Sequence, residues 1–293
     1  MSRENIEQFW IGGVLRWIGI VLFFLACAFP FYYMLLLSFR SIQSVLVEPA
    51  NLIPDWELVR TLQTYKEVLK PVDQGGQGFI VFIRNSLGVS LVTTAITLWV
   101  SISAAYAATR LDFRGKNLVN WGLLLVYMIP AIVLAIPLFV LYSKLGLRSD
   151  VPRRLLGLIV VYLSSTLPVA LYMLRSYFQT IPVELEEAAL IDGCTRLEAL
   201  RKIVIPLSLP AIASTGLYVF MIAWNEFLYA LLFLLEERNA WTLPLGVKQL
   251  DTQEVPKTML MAGSVIITIP VIVLFTFFER FITGGLTAGG VKG

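Results

Sequence analysis

Residues 175–210 read RSYFQTIPVELEEAALIDGCTRLEALRKIVIPLSLP, a charged stretch between two long apolar segments that divides into two short helical patterns joined at a glycine. Pro182 suits a first helical position, and Glu184, Glu186 and Glu187 follow in the first turns, where acids favour the positive end of the helix dipole. Gly193 ends this helix at a left-handed position that costs other residues about 1 kcal/mol or more. Thr195 and Glu198 then form a T-x-x-E capping box, so a second helix starts there and stops near Pro206. A helix over 182–192 is about 16 Å long and too polar to span a bilayer. Its face Leu185, Ala188, Ala189, Asp192 is small in the middle, so another surface can approach closely. A helix lying on lipid usually shows Lys or Arg on one face and bulky anchors on the other; this one is acidic with alanines, which suits a protein partner better.

Outward from this loop the text is apolar. The chain has 293 residues, mean hydropathy +0.77, and 15% charged residues, where a soluble domain carries about 25%. Cutting at the charges leaves six segments, 17–39, 85–109, 117–143, 155–174, 211–235 and 258–278. Each reaches the roughly 20 apolar residues that cross about 30 Å of hydrocarbon. The expectation is an all-α membrane protein with six transmembrane helices in one domain over 1–293. A β-barrel is excluded, because its strands would alternate. The chain has no histidine, which removes the usual general base and the commonest metal ligand. Cys27 and Cys194 fall in different environments and give no disulfide framework. The start, MSRENIEQFW, carries two acids beside one arginine, so the first apolar segment is expected to stay as the first span. Net charge +3 is spread through the loops, with no basic patch for nucleic acid.

The loops are unequal. Loop 40–84 holds PANLIPDW and a glycine cluster and is expected to be irregular, with one short helix near 61–69; 144–154 is short, 175–210 long, and 236–257 intermediate. Lysines and arginines fall almost equally on the two sides, so the positive-inside rule gives no orientation, which must come from what loop 175–210 does. Pro30, Pro130, Pro137, Pro168 and Pro270 fall inside the spans; each frees a carbonyl and marks a bend, read as a packing kink or as the bent helix of a transporter. The second span is rich in small residues (Ser86, Gly88, Ser90, Ser101, Ser103, Ala104, Ala105), which permits close helix approach. Glu226 is the one charge inside the six segments, about 22 Å up the fifth helix from Pro210, so it faces a cavity, water or a partner. It lines a path with Trp224, Asn225 and Tyr229, or it braces the fifth span.

Glu187, Ala188, Ala189, then Gly193, Ile203, Ile205 and Pro206 reproduce, at matching spacing, the EAA motif of the membrane-spanning subunits of ABC importers; Ile205 stands where that family usually has leucine. With IPVELEEAALIDG, AWNEFLYAL, Asn85-Ser86-Leu87 and the end FFERFITGGLTAGGVKG, the chain resembles the maltose-type, MalG-like carbohydrate permeases from Asn85 onward. The resemblance implies a type I importer permease and no catalytic residues. It implies a cytoplasmic coupling loop that contacts an ATPase subunit through Glu184, Glu187, Ala188, Ala189, Asp192, Gly193, Ile203 and Pro206. Both termini are then cytoplasmic, in the plasma (inner) membrane of a bacterium or archaeon. Loop 236–257, with Trp241, Lys248, Gln249 and Asp251, is implied to meet an extracytoplasmic solute-binding protein, and the tail 284–293 to reach toward the ATPase pair. The other implied partners are a second, distinct permease and two ABC ATPase copies, with membrane lipid around them and ATP and Mg held only by the ATPase. No stretch of the chain fits the P-loop pattern G-x-x-x-x-G-K-[ST], so energy for uphill transport must arrive through a contact. Sugars, glycerol phosphate, polyols and other small solutes remain open as cargo; a scaffold or sensor that binds a partner without moving solute is the rival from another class. An intramembrane enzyme ranks last.

Overall fold

In a computed structural model, the structure describes residues 3–116, 122 and 129–288, with side chains placed from Gly13 to Phe281. Every regular segment among the described residues is helical. Four helices are long and apolar enough to cross a membrane, Gly13–Ser38, Phe79–Arg110, Val151–Phe178 and Lys257–Phe281; they contain the second, fourth and sixth expected spans and all of the first but Phe39. Of the third expected span, residues 117–121 and 123–128 lie outside the described residues; its remainder is the helix Ala131–Lys144. There Pro130 is the N-cap of the helix and not an interior kink, whereas Pro30, Pro137, Pro168 and Pro270 do lie inside helices.

By contacts the chain divides into two compact units, 1–78 with 249–266, and 79–248 with 267–293. The first holds α1 (Arg3–Ser38), whose apolar surface is almost wholly exposed, and the short helices α2 (Ile42–Val47), α3 (Trp56–Thr61) and α4 (Gln63–Leu69). The sequence suggests one helix in this loop; α4 falls at that place, and α2 and α3 are additional. Buried Arg40 organises them by donating to the carbonyls of Asn51 at 2.8 Å, Ser44 at 2.6 Å and Glu48 at 3.0 Å, so a guanidinium satisfies what the end of a short helix leaves unpaired. Asp55 Oδ2 accepts from the Ser41 amide at 2.7 Å and the Ser44 hydroxyl at 3.0 Å, closing the loop on itself.

The second unit is built on α5 (Phe79–Arg110), which packs along α7 (Val151–Phe178) and α11 (Leu209–Asn225), with α6 (Ala131–Lys144) beside α12 (Leu228–Leu234). The stripe Ser86, Ser90, Thr93, Thr97, Ser101, Ala105 of α5 is buried, while Leu91, Val92 and Trp99 point outward. In lipid, packing of small residues brings helices together, since apolar side chains gain nothing by leaving hydrocarbon. Thr97 and Thr166 hydroxyls meet at 2.9 Å between α5 and α7. Above Pro168, the Ser164, Ser165 and Thr166 hydroxyls return to carbonyls of Val161 and Tyr162, at 2.6, 2.9 and 2.9 Å, local bonds that keep polar groups satisfied next to the proline.

The fifth expected span is two helices. α11 ends at Asn225, Glu226 and Phe227 break the helix, and α12 continues. Loop 236–257 is likewise not plain loop, because α13 (Leu243–Leu250) runs through it. Gly157 shows how tightly α7 and α6 approach: a Cβ there would sit 2.4 Å from the Tyr142 ring, itself stacked 4.4 Å from Phe233. Gly157→Ala is therefore expected to lower stability by about 1–3 kcal/mol. A thermal melt of the purified chain in detergent checks it.

Candidate functional site

Loop 175–210 folds as α8 (Glu184–Ile191), α9 (Arg196–Ala199), a π turn over Leu200–Val204 and α10 (Ile205–Leu207). α8 starts two residues later than the sequence suggests, because the Val183 carbonyl receives the Glu186 and Glu187 amides at 2.9 and 3.0 Å, and Pro182 stands before the helix. At 8 residues it is about 12 Å long. Gly193 lies at φ +88°, with its amide on Leu190 O at 3.1 Å and the Cys194 amide on Ala189 O at 2.9 Å. This is a Schellman ending, which needs a left-handed residue at that place.

The capping box is present in both directions. Glu198 N–H donates to Thr195 Oγ1 at 3.3 Å, and Glu198 Oε2 accepts from the Thr195 amide at 2.8 Å. The Thr195 amide, then the Thr195 hydroxyl at 2.9 Å and Lys202 at 3.2 Å, hold the Glu198 carboxyl down at about 2. Beyond it, Ile205 N–H reaches back to Leu200 O, widening the helix immediately before Pro206, which has no N–H for the next bond. The helix therefore runs one residue past Pro206 and bends by 78° at Ser208 into α11, whose second residue is Pro210.

α8 is anchored from its inner face. Glu186, 5% exposed, takes the Arg110 Nε at 2.6 Å, and Arg110 Nη2 donates to Ile181 O at 2.9 Å. Ala189 faces inward beside it, while Glu184, Leu185, Glu187, Ala188, Leu190, Asp192 and Gly193 are exposed and Ile191 is 85% exposed. Of the face expected from the sequence, Leu185, Ala188 and Asp192 point outward and Ala189 does not. Ile203 is half-buried and Pro206 exposed. A core of Ala105, Tyr106, Leu174, Phe178, Leu200 and Val204 seats the second half of the loop on the ends of α5 and α7.

The break in the fifth span is built by Glu226. Its Oε1 accepts from the Tyr229 amide at 2.8 Å, and its Oε2 from the Ala230 amide at 3.1 Å and the Tyr162 hydroxyl at 2.7 Å. The lone charge thus caps α12, where acceptors and negative charge both suit a helix N-terminus. Trp224 is fully buried, stacked on Phe220 and donating to Ile267 O at 3.0 Å. Asn225 is exposed and donates to Met221 O at 2.9 Å. Tyr229 is buried, bonds Ala131 O at 3.2 Å, and borders a small cavity of about 130 Å³ with Ser164, Ser165 and Pro168.

At the other end of α5, Asn85 donates to Asn239 O at 2.8 Å and Trp241 O at 3.0 Å, and Ser86 accepts the Leu243 amide at 2.7 Å. Trp241 packs on Phe82 and donates to Leu234 O at 3.0 Å. Arg148 and Arg154 both meet Glu236, and Arg154 also reaches Phe233 O at 3.2 Å. The Arg148 guanidinium holds the Glu236 carboxyl below the usual carboxylate range. Lys248 and Asp251 are exposed, Asp251 with Lys257 at 2.9 Å; Gln249 is half-buried against Gln77 at 3.1 Å.

Residues 79–286 match the family model of the binding-protein-dependent transport system inner membrane component. The chain belongs to that family. It is an ABC importer permease subunit of the inner membrane, and the ATPase of such importers is a separate chain. The permease is 38% identical to the inner membrane ABC transporter permease protein YcjP of Escherichia coli over 94% of this chain and 95% of that one. It is also 38% identical to the trehalose/maltose transport system permease protein MalG of Thermococcus litoralis, over 96% and 97%. Its fold matches a chain of the bacterial ABC transporter involved in import of the acidic polysaccharide alginate, with TM-score 0.74 at 22% identity, covering 96% and 98%.

Reading the sequence alone misses Glu186 and Arg110, the pair that seats the permease's loop, and Tyr162, the partner of Glu226. The signal for the first was an arginine closing one apolar span and a glutamate one turn before an inward alanine.

Two outcomes follow. The Glu198 carboxyl is depressed in the folded loop, so its contribution is present above the unfolded value near 4.5 and is lost as pH falls from there toward 2. Hydrogen exchange at the Thr195 and Glu198 amides should be unchanged from pH 7 to about 5 after correction for intrinsic rates, and protection should fall below that. Glu226→Leu should cost about 1–3 kcal/mol of stability, whereas Glu226→Gln, which keeps an acceptor oxygen, should keep most stability and uptake. Uptake lost in Glu226→Gln at full expression would place the charge itself in transport.

Proposed function

We propose that this permease forms half of the translocation path of an ATP-driven, binding-protein-dependent importer for a sugar or oligosaccharide, with loop 175–210 as its coupling contact. The observation that carries this reading is the exposed surface of α8, Glu184, Leu185, Glu187, Ala188, Leu190, Ile191 and Asp192, ended by the Gly193 turn and held from behind by Arg110. It is a mixed apolar and acidic projection that lies exposed among the described residues. Gly193, Ile203 and Pro206 shape that projection, and Ala189 packs it inward.

Loops 144–154 and 236–257 join each other through Arg148, Arg154 and Glu236 at the Asn85 end of α5, and loop 175–210 sits at the Arg110 end. From Asn85 to Arg110 is about 37 Å of helix, more than the hydrocarbon thickness. With the coupling loop in the cytoplasm, both termini are cytoplasmic, the chain spans six times, and loop 236–257 faces a solute-binding protein through Trp241, Lys248, Gln249 and Asp251. The proposed complex has a distinct second permease and two ATPase copies, which bind ATP and Mg; this chain binds neither. The tail 284–293 reaches toward the ATPase pair. Closure of that pair moves α8, the spans rock, and the path opens inward. Trp224, Asn225, Glu226 and Tyr229 shape the path where the fifth span breaks. The name of the Thermococcus relative supports a sugar as cargo.

Purification of the tagged chain from its native membrane should bring down one sister permease and two ATPase copies by mass spectrometry; a kinase or protease in their place would contradict the reading. Gly193→Val, which forces a β-branched residue to φ +88°, should cut uptake about tenfold or more while ATP hydrolysis continues. Uptake at the normal rate would remove the coupling role from this loop.

A further inference from the structure

The loop 175–210 is joined covalently to α7 and α11, but not to α5. Its connection to α11 passes through a π turn and a 78° bend at Ser208. Beside the apolar packing of Ala105 and Tyr106 on Leu200 and Val204, its charged connection to α5 is the Arg110–Glu186 pair. The two side chains are 9% and 7% exposed, the Nε to Oε1 distance is 2.6 Å, and the same guanidinium holds Ile181 O at 2.9 Å, immediately before α8. One turn back along α5, Tyr106 reaches Arg196 O of α9 at 3.5 Å. The end of α5 therefore touches both helices of the loop.

We propose that the Arg110–Glu186 ion pair carries displacement of α8 to α5, and that both residues are positioning residues for coupling; this rests on the importer reading above. A pair on the surface yields by rotamer change, but a buried pair cannot separate without leaving a charge uncompensated. The two elements move together as a result. α5 then carries the movement as one continuous 32-residue helix to its other end, where Asn85 grips Asn239 O and Trp241 O in loop 236–257. One helix, held by side-chain bonds at both ends, thereby joins the ATPase side to the binding-protein side.

The test uses the full complex in proteoliposomes with its binding protein and solute, and reads solute taken up per ATP hydrolysed at equal assembled complex. Glu186→Gln and Arg110→Gln should lower that ratio about tenfold. Arg110→Lys, which keeps the charge but lacks the planar fork that spans both acceptors, should fall between, and the exchange Arg110→Glu with Glu186→Arg should restore most of the ratio. A pair that only stabilises the fold would lower the yield of complex and leave the ratio unchanged, and that result overturns the proposal. If the unmodified complex hydrolyses ATP and moves no solute, the importer reading fails and the pair's role falls with it.

Discussion

The helix Phe79–Arg110 sets the frame because each of its ends is tied to a different loop by a side chain with several donors. Asn85 bonds two carbonyls of loop 236–257; Arg110 bonds a carboxylate and a carbonyl of loop 175–210. In hydrocarbon the rest of α5 has little beyond small-residue packing to hold its register, so the ends decide what it is attached to. The loops so fixed lie about 37 Å apart along α5.

Loops 144–154 and 236–257 are tied to each other in the same way: Arg148 and Arg154 both meet Glu236, and Arg154 is buried on the Phe233 carbonyl. Where the chain bends, the cause is equally local. Pro206 and Pro210 withhold amides on either side of Ser208, and Glu226 takes over two amides at the start of α12.

Much of this was legible from residue order. The Gly193 stop and the Thr195–Glu198 box are local signals, and the structure has each where the sequence puts it; apolar length likewise marks four long helices. The burial of Glu186 against Arg110 and the contact of Glu226 with Tyr162 were not legible, because each depends on a partner far along the chain. Arg110 is 76 residues from Glu186, and Tyr162 is 64 from Glu226. A lone acid in an apolar segment announces that a partner exists, but the spacing of the sequence does not name it. The family motif marked the loop, while Arg110, which seats it from within, lies outside that motif.

On the coupling role proposed above, the outer face of α8 meets an ATPase. A photo-activated cross-linking residue placed at Ile191, 85% exposed, in native membranes tests it most directly. The account predicts one dominant adduct, this chain joined to an ATP-hydrolysing subunit, lost when the label is moved to buried Ala199. Adducts only with lipid, or with no ATPase among them, would contradict it.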